Sequence, residues 1–242
     1  MQLFSQLDLN KVLFLDIETV PAQPSFKSLS PQWQALWEKK SKSLVKENIT
    51  AGDMYDRSAI YAEFGKVVCV CVGIITGYPH QPQLRMKYFA SDDEKQLLTE
   101  FADLLRVYFS TDKSFLCAHN GKEFDFPYLS RRMLIHGIKL PVLLDNAGKK
   151  PWEIKHLDTM DMWKFGDYKS YTSLELLASL FGIPTPKDDI DGSMVADVYY
   201  REKDLGRIVQ YCLKDVVTLA QLFLKMMNVP AISDENIIFP TE

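Results

Sequence analysis

Apolar and polar positions along the chain switch between two periods. Val12, Leu13, Phe14, Leu15 and Ile17 form a nearly unbroken apolar run, the pattern of a strand buried on both faces in the middle of an α/β sheet. Similar runs predict strands over 11–17, 67–75, 84–90 and 114–118, with a weaker fifth in HLDTMDM at 156–162. Helical periods separate them. Ser91-Asp92-Asp93-Glu94 reads as a capping box ahead of KQLLTEFADLLRVYF, and Thr172-Ser173-Leu174-Glu175 as another ahead of LLASLFG, which Gly182 and Pro184 end. Pro127 falls in the first turn of a helix that Gly137 stops. This order predicts an α/β protein with a mixed central sheet of about five strands and helices on both faces.

Residues 22–63 break the alternation. The stretch begins among three prolines, Pro21, Pro24 and Pro31, and then becomes helical and basic, with Trp33 and Trp37 four residues apart. It reads as a helical insertion between the first two strands of a single domain covering 1–242. Trp33, Trp37, Lys39, Lys40, Lys42 and Lys46 offer a stacking and phosphate-contacting surface. The amphipathic pattern favours the alternative, tryptophans packed on the domain.

Composition changes the picture in four ways. With 242 residues of which 47% are hydrophobic, the chain buries a full core. Its 28 basic against 32 acidic side chains give a net charge of −4, which argues against coating nucleic acid by bulk charge. That sum leaves room for a nucleic-acid enzyme whose acids hold cations. No basic segment followed by a long apolar one opens the chain and no window reaches a membrane span, so a soluble, cytoplasmic protein without membrane partners is expected. Cys69, Cys71, Cys117 and Cys212 lack paired spacing, and Cys69 and Cys71 read as small hydrophobes of a buried strand rather than as zinc ligands.

The candidate chemistry lies where acids interrupt apolar patterns. Asp16 and Glu18 stand one residue apart in the first strand and so face the same side, where they repel each other and lose hydration. Asp125 begins a helix after His119-Asn120-Gly121, a place where an aspartate often serves only as an N-cap. In DLGRIVQYCLKDVVTLAQLFLKMM, residues Leu205, Ile208, Val209, Cys212, Val216, Leu219 and Phe223 mark a buried stripe. Asp215 lies inside it with Tyr211 one turn away. A divalent cation shared by Asp16, Glu18 and Asp215 satisfies all three acids at once.

Taken in order, FLDIET, HNGKEFDFPYL and YCLKD resemble the three motifs of the DEDD superfamily of 3′–5′ exonucleases, which have a ribonuclease H-like fold. HNGKEFDFPYL is similar to the proofreading exonuclease domain of family B DNA polymerases. HLDTMDMWKFG through YCLKDV is similar to predicted standalone exonucleases related to that domain. Tyr211, with Gln210 rather than histidine five residues before Asp215, indicates the tyrosine subclass. The resemblance implies that Asp16, Glu18, Asp125 and Asp215 bind two Mg²⁺ or Mn²⁺ ions and that Tyr211 orients the attacking water. It also implies that Thr19, Asn120 and Phe124 contact the terminal nucleotide, and that the reaction is hydrolysis of the terminal phosphodiester of single-stranded DNA, releasing nucleoside monophosphates. RNA 3′ ends are the alternative substrate, and a catalytically silent nucleic-acid-binding module is the alternative of another class. His119 is expected to support its loop, Asp158 and Asp161 to be structural, and Lys187, Asp188, Asp189 and Asp191 to form a solvated loop.

Overall fold

The structure of the protein is a computed structural model that describes residues 7–44, 49–111, 113–167, 169–184 and 190–240. Among the described residues six strands form one sheet in the order β5-β4-β1-β2-β3-β6. They are β1 (Val12–Pro21), β2 (Gly65–Thr76), β3 (Gln83–Ala90), β4 (Phe115–Ala118), β5 (Leu157–Asp158) and β6 (Ile237–Ile238). The β1–β2 and β2–β3 pairs are antiparallel, whereas β4 runs parallel to both β1 and β5. The sheet is therefore mixed, as expected, with one strand more than the sequence suggested. That strand, β6, is only two residues long and pairs parallel to β3, too short to carry a period of its own. The fifth predicted strand is also cut to two residues, because Asp158 caps helix α4 (Thr159–Lys164) by accepting from the Met160 and Asp161 amides.

Alternation along β1 divides the core. Leu13, Leu15 and Ile17 point to a cluster with Leu98, Phe101 and Leu129, on the side of α2 (Glu94–Tyr108) and α3 (Asp125–Ile135). Val12, Phe14 and Val20 point to the other side, where Ile208, Cys212, Val216 and Phe223 of the long helix α7 (Leu205–Met226) cover the sheet. The same parity sends Asp16 and Glu18 toward α7. Between these helices lie α5 (Leu174–Leu180) and the short α6 (Val195–Asp197), which runs on into a π turn over Val198–Glu202. Among the described residues no helix is long and apolar enough to cross a membrane.

Helix starts differ from the predicted boxes by one or two residues. Asp93, not Ser91, caps α2 by accepting from the Gln96 amide. Glu94 is thereby freed to turn inward, where it accepts from the Val67 amide at 2.7 Å and from Arg132. Ser173, not Thr172, caps α5. In α3, Pro127 sits in the first turn and Gly137 follows the end at φ 69°, as predicted.

Between β1 and β2, helix α1 (Pro31–Ser41) completes the numbering. Trp37 is fully buried against Tyr55 and Phe64 and donates its indole N–H to the Ala51 carbonyl at 2.8 Å. Trp33 lies edge-on to Phe64 and stays 42% exposed. The packing reading therefore holds for Trp37. Lys46, Lys187, Asp188 and Asp189 lie outside the described residues, and Asp191 is exposed, accepting from the Ser193 amide.

Candidate active site

The site forms past the end of β4, where β1 continues and the chain turns into α3. Asp16 pairs with Cys71 and Glu18 with Cys69 across the β1–β2 ladder, and the register shifts between Glu18 and Thr19. Such a bulge bends the strand and redirects the side chains around it. Glu18 is 8% exposed and Asp125 3%. Asp125 is the first residue of α3, with Phe124 in the capping position, so its expected alternative as an N-cap does not apply. Tyr211 and Asp215 arrive one turn apart on α7, both half-buried.

Electrostatics ties the four carboxylates together. Burial drives the Asp16 carboxyl well above the ordinary range, and Cys212, Asp125 and Asp215 add to the rise. Glu18 is raised by burial and then by Asp16, with Cys212, Asp215 and Asp125 contributing less. Asp125 is pushed up to about 7, again mainly by burial. Burial and the neighbouring Asp215 raise the Tyr211 phenol well above its usual value, so it stays protonated throughout the physiological range. The structure thus brings together Asp16, Glu18, Asp125, Asp215 and Tyr211.

The predicted substrate contacts neighbour the acids along the chain, Thr19 after Glu18 and Asn120 and Phe124 before Asp125. Asn120 has a left-handed backbone, φ 62°, and its carbonyl accepts from the Glu123 and Phe124 amides. Phe124 meets the ring of Tyr128 at 5.4 Å, and Thr19 follows Glu18 across the bulge of β1. Phe124 also packs against the cluster that holds Leu13, Leu15 and Ile17, immediately before Asp125.

Sequence reasoning assigned Asp158 a structural role without finding its partners. Its buried carboxylate accepts from the Asn120 amide at 2.9 Å and the Lys122 amide at 3.0 Å, as well as capping α4. It pins the loop that delivers Asp125. His119 does support that loop, as expected, bonding Thr159 through Nδ1 and the Thr172 carbonyl through Nε2, each at 2.8 Å. Gly121 is required by close approach, since a Cβ there would lie 2.4 Å from that of Ala118. Cys69 and Cys71 are buried in β2, but their thiols meet that of Cys212 from α7, all three within 4.8 Å. Cys212 in turn donates to the Asp16 carbonyl at 3.5 Å.

A divalent metal suits these residues. Atoms of Asp16, Glu18 and Cys212 able to bind an ion all lie within 4.8 Å of one another. Asp125 and Asp215 stand outside that group and act on Asp16 and Glu18 through their charge. Oxygen donors dominate the set, and a hard cation is what relieves the burial and repulsion that raise them.

The sequence model of a family described as "Predicted 3′-5′ exonuclease related to the exonuclease domain of PolB" matches residues 59–236. The chain belongs to this family. The match includes Asp125, Tyr211 and Asp215 and begins after Asp16 and Glu18, whose carboxyls Asp125 and Asp215 help to raise. Among curated proteins, DNA polymerase 1 of Pyrococcus abyssi is 28% identical over 131 residues, covering 49% of this chain and 17% of the polymerase. A DNA polymerase of Pyrococcus glycovorans is 26% identical over 141 residues, covering 53% of this chain and 18% of its own. The exonuclease-family chain therefore spans less than a fifth of these relatives. The solved family B DNA polymerase of Pyrobaculum calidifontis superposes with a TM-score of 0.54 at 18% identity, over 89% of this chain and 24% of that one. At that identity the likeness shows the fold, an α/β ribonuclease H-like sheet flanked by helices.

Proposed function

We propose that the protein is a metal-dependent 3′–5′ exonuclease that removes nucleoside monophosphates from the 3′ ends of single-stranded DNA in the cytoplasm. The observation that carries this reading is the convergence of Asp16, Glu18, Asp125 and Asp215 beside Tyr211, in a chain of a 3′–5′ exonuclease family. One exonuclease domain over 1–242 would bear the site, with 22–63 as its insertion.

The four carboxylates would hold two divalent cations, Mg²⁺ or Mn²⁺. Bound there, the cations supply Lewis acidity to water and offset the negative charge of the scissile phosphate. Burial of the carboxylates keeps bulk water from competing for these interactions. Tyr211, held protonated by burial and by Asp215, is a fixed hydroxyl and not a base. It orients the attacking water by hydrogen bonding. Thr19, Asn120 and Phe124 would position the terminal nucleotide, and the loop carrying the last two is fixed by Asp158 and His119.

A time course on 5′- and 3′-labelled DNA and RNA oligonucleotides tests the reading. Stepwise shortening of 5′-labelled DNA with Mg²⁺ or Mn²⁺, faster than matched RNA and stopped by EDTA, is expected. Faster RNA shortening would move the assignment to an exoribonuclease. Binding without cleavage under any metal would leave only the silent module.

A further inference from the structure

The turn after α4 presents aromatic side chains that the core does not use. Phe165 ends α4 with its backbone in the left-handed region, φ 43°, and is 80% exposed. A helix end in that conformation ordinarily takes glycine or asparagine, because a Cβ is crowded there. Gly166 follows immediately, at φ 91°. A large apolar ring at 165 serves neither the cap nor the interior.

Tyr171, further along the same turn, is 63% exposed. It is fixed to the loop that leads to Asp125. Its hydroxyl donates to Glu123 at 3.4 Å, and Lys164 lies 4.5 Å from its ring centroid while also pairing with Glu123 at 3.6 Å. The bond from His119 to the Thr172 carbonyl ties the next residue to the same loop. Glu123 precedes the half-buried Phe124 and the catalytic candidate Asp125. The ring of Tyr171 is thus held beside the site with a face open to solvent.

Charge around this surface is balanced. Lys122 pairs with Asp161 at 3.1 Å, and Lys164 with Glu123 and Asp161. Such a surface has little excess attraction for phosphates, whereas aromatic rings stack on bases of any sequence.

We propose that Tyr171 and Phe165 form a base-stacking surface for the unpaired nucleotides of single-stranded DNA upstream of the 3′ end. The inference rests on the exonuclease reading and deepens it: the site would select single strands because paired bases cannot turn their faces to these rings.

Binding is measured in EDTA, so that no cleavage intervenes, by fluorescence anisotropy with the full chain. The probes are a labelled oligothymidylate, an abasic oligonucleotide of equal length and a blunt duplex. Tyr171→Ala and Phe165→Ala are each expected to weaken oligothymidylate binding about fivefold or more. Abasic binding, the salt dependence of affinity and the melting temperature should stay near wild type. Tyr171→Phe, which keeps the ring and loses the bond to Glu123, should bind like wild type. Alanine variants that bind oligothymidylate as wild type does, or that lose abasic and normal strands equally, would overturn the stacking surface while leaving the exonuclease reading standing. A wild-type protein that binds none of the probes would overturn the stacking surface, whereas the exonuclease reading stands or falls with the cleavage time course.

Discussion

At the scale of single residues, the site is a set of acids placed where water is scarce. Burial and mutual repulsion raise Asp16, Glu18 and Asp125 together, and Tyr211 faces Asp215 as a neutral phenol. Removing only its hydroxyl in Tyr211→Phe should lower single-turnover cleavage about 10- to 100-fold, the scale seen when a group supporting a metal site is lost. Because the phenol does not titrate near neutrality, the shape of the pH–rate profile should not change. Equal rates in the two proteins would make Tyr211 a packing residue. Much of this was legible in the sequence, because an Asp-x-Glu pair inside an apolar strand and an aspartate within a helix's buried stripe violate ordinary patterning. The partners of Asp158 were not, because an acceptor for distant backbone amides leaves no periodic trace. The meeting of Cys69 and Cys71 with Cys212 was equally hidden, since it depends on how α7 crosses β2.

At the scale of elements, α2, α3 and β2 are joined by a buried ionic clasp. Glu94 is 6% exposed and accepts from Arg132 Nε at 2.8 Å and Nη2 at 2.5 Å, while His136 approaches the same carboxylate at 2.7 Å. Burial alone would raise Glu94, but the hydrogen bonds from Arg132 and the Val67 amide outweigh it and hold the carboxyl below its ordinary value. Arg132 also donates to the Ala62 carbonyl, so the clasp anchors the helix that Asp125 begins. Glu94→Gln leaves the guanidinium without its counter-charge and should destabilise the protein by about 3–5 kcal/mol in urea unfolding. A loss below about 1 kcal/mol, the scale of an exposed pair, would show that solvent screens it. The sequence places Glu94 in a capping box that starts at Ser91. The cap fell at Asp93 instead, and that shift of the helix start turned Glu94 inward. Strands with long apolar runs were located closely, whereas the two-residue β6 had no period to detect.

At the scale of the whole molecule, the sheet holds a site that opposes folding until a cation arrives. An unfolded Asp ionises near 3.8, and folded Asp125 near 7. Between these values the folded state binds more protons, so stability falls as pH rises and the loss is complete above the folded value. The contribution from Asp16 and Glu18 has the same sign. Metal-free protein should therefore melt lower at pH 8 than at pH 5.5 by several degrees, given about 2–4 °C per kcal/mol for chains of this size. Mn²⁺ should recover most of the difference at pH 8, because a ligand bound only by the folded state stabilises it. A metal-free melting temperature that rises steadily over that interval would mean that these carboxylates do not dominate the pH response.

The central claim, that the four carboxylates form one divalent-metal centre, is tested most directly by thermal melting of wild type and Asp215→Asn at pH 8, with EDTA and with Mn²⁺. Asp215→Asn keeps the side-chain shape and removes one of the charges that raise Asp16 and Glu18. The account predicts that without metal the variant melts above wild type, while Mn²⁺ raises wild type much more than the variant. A metal-free variant that melts at or below wild type, with an undiminished response to Mn²⁺, would contradict it.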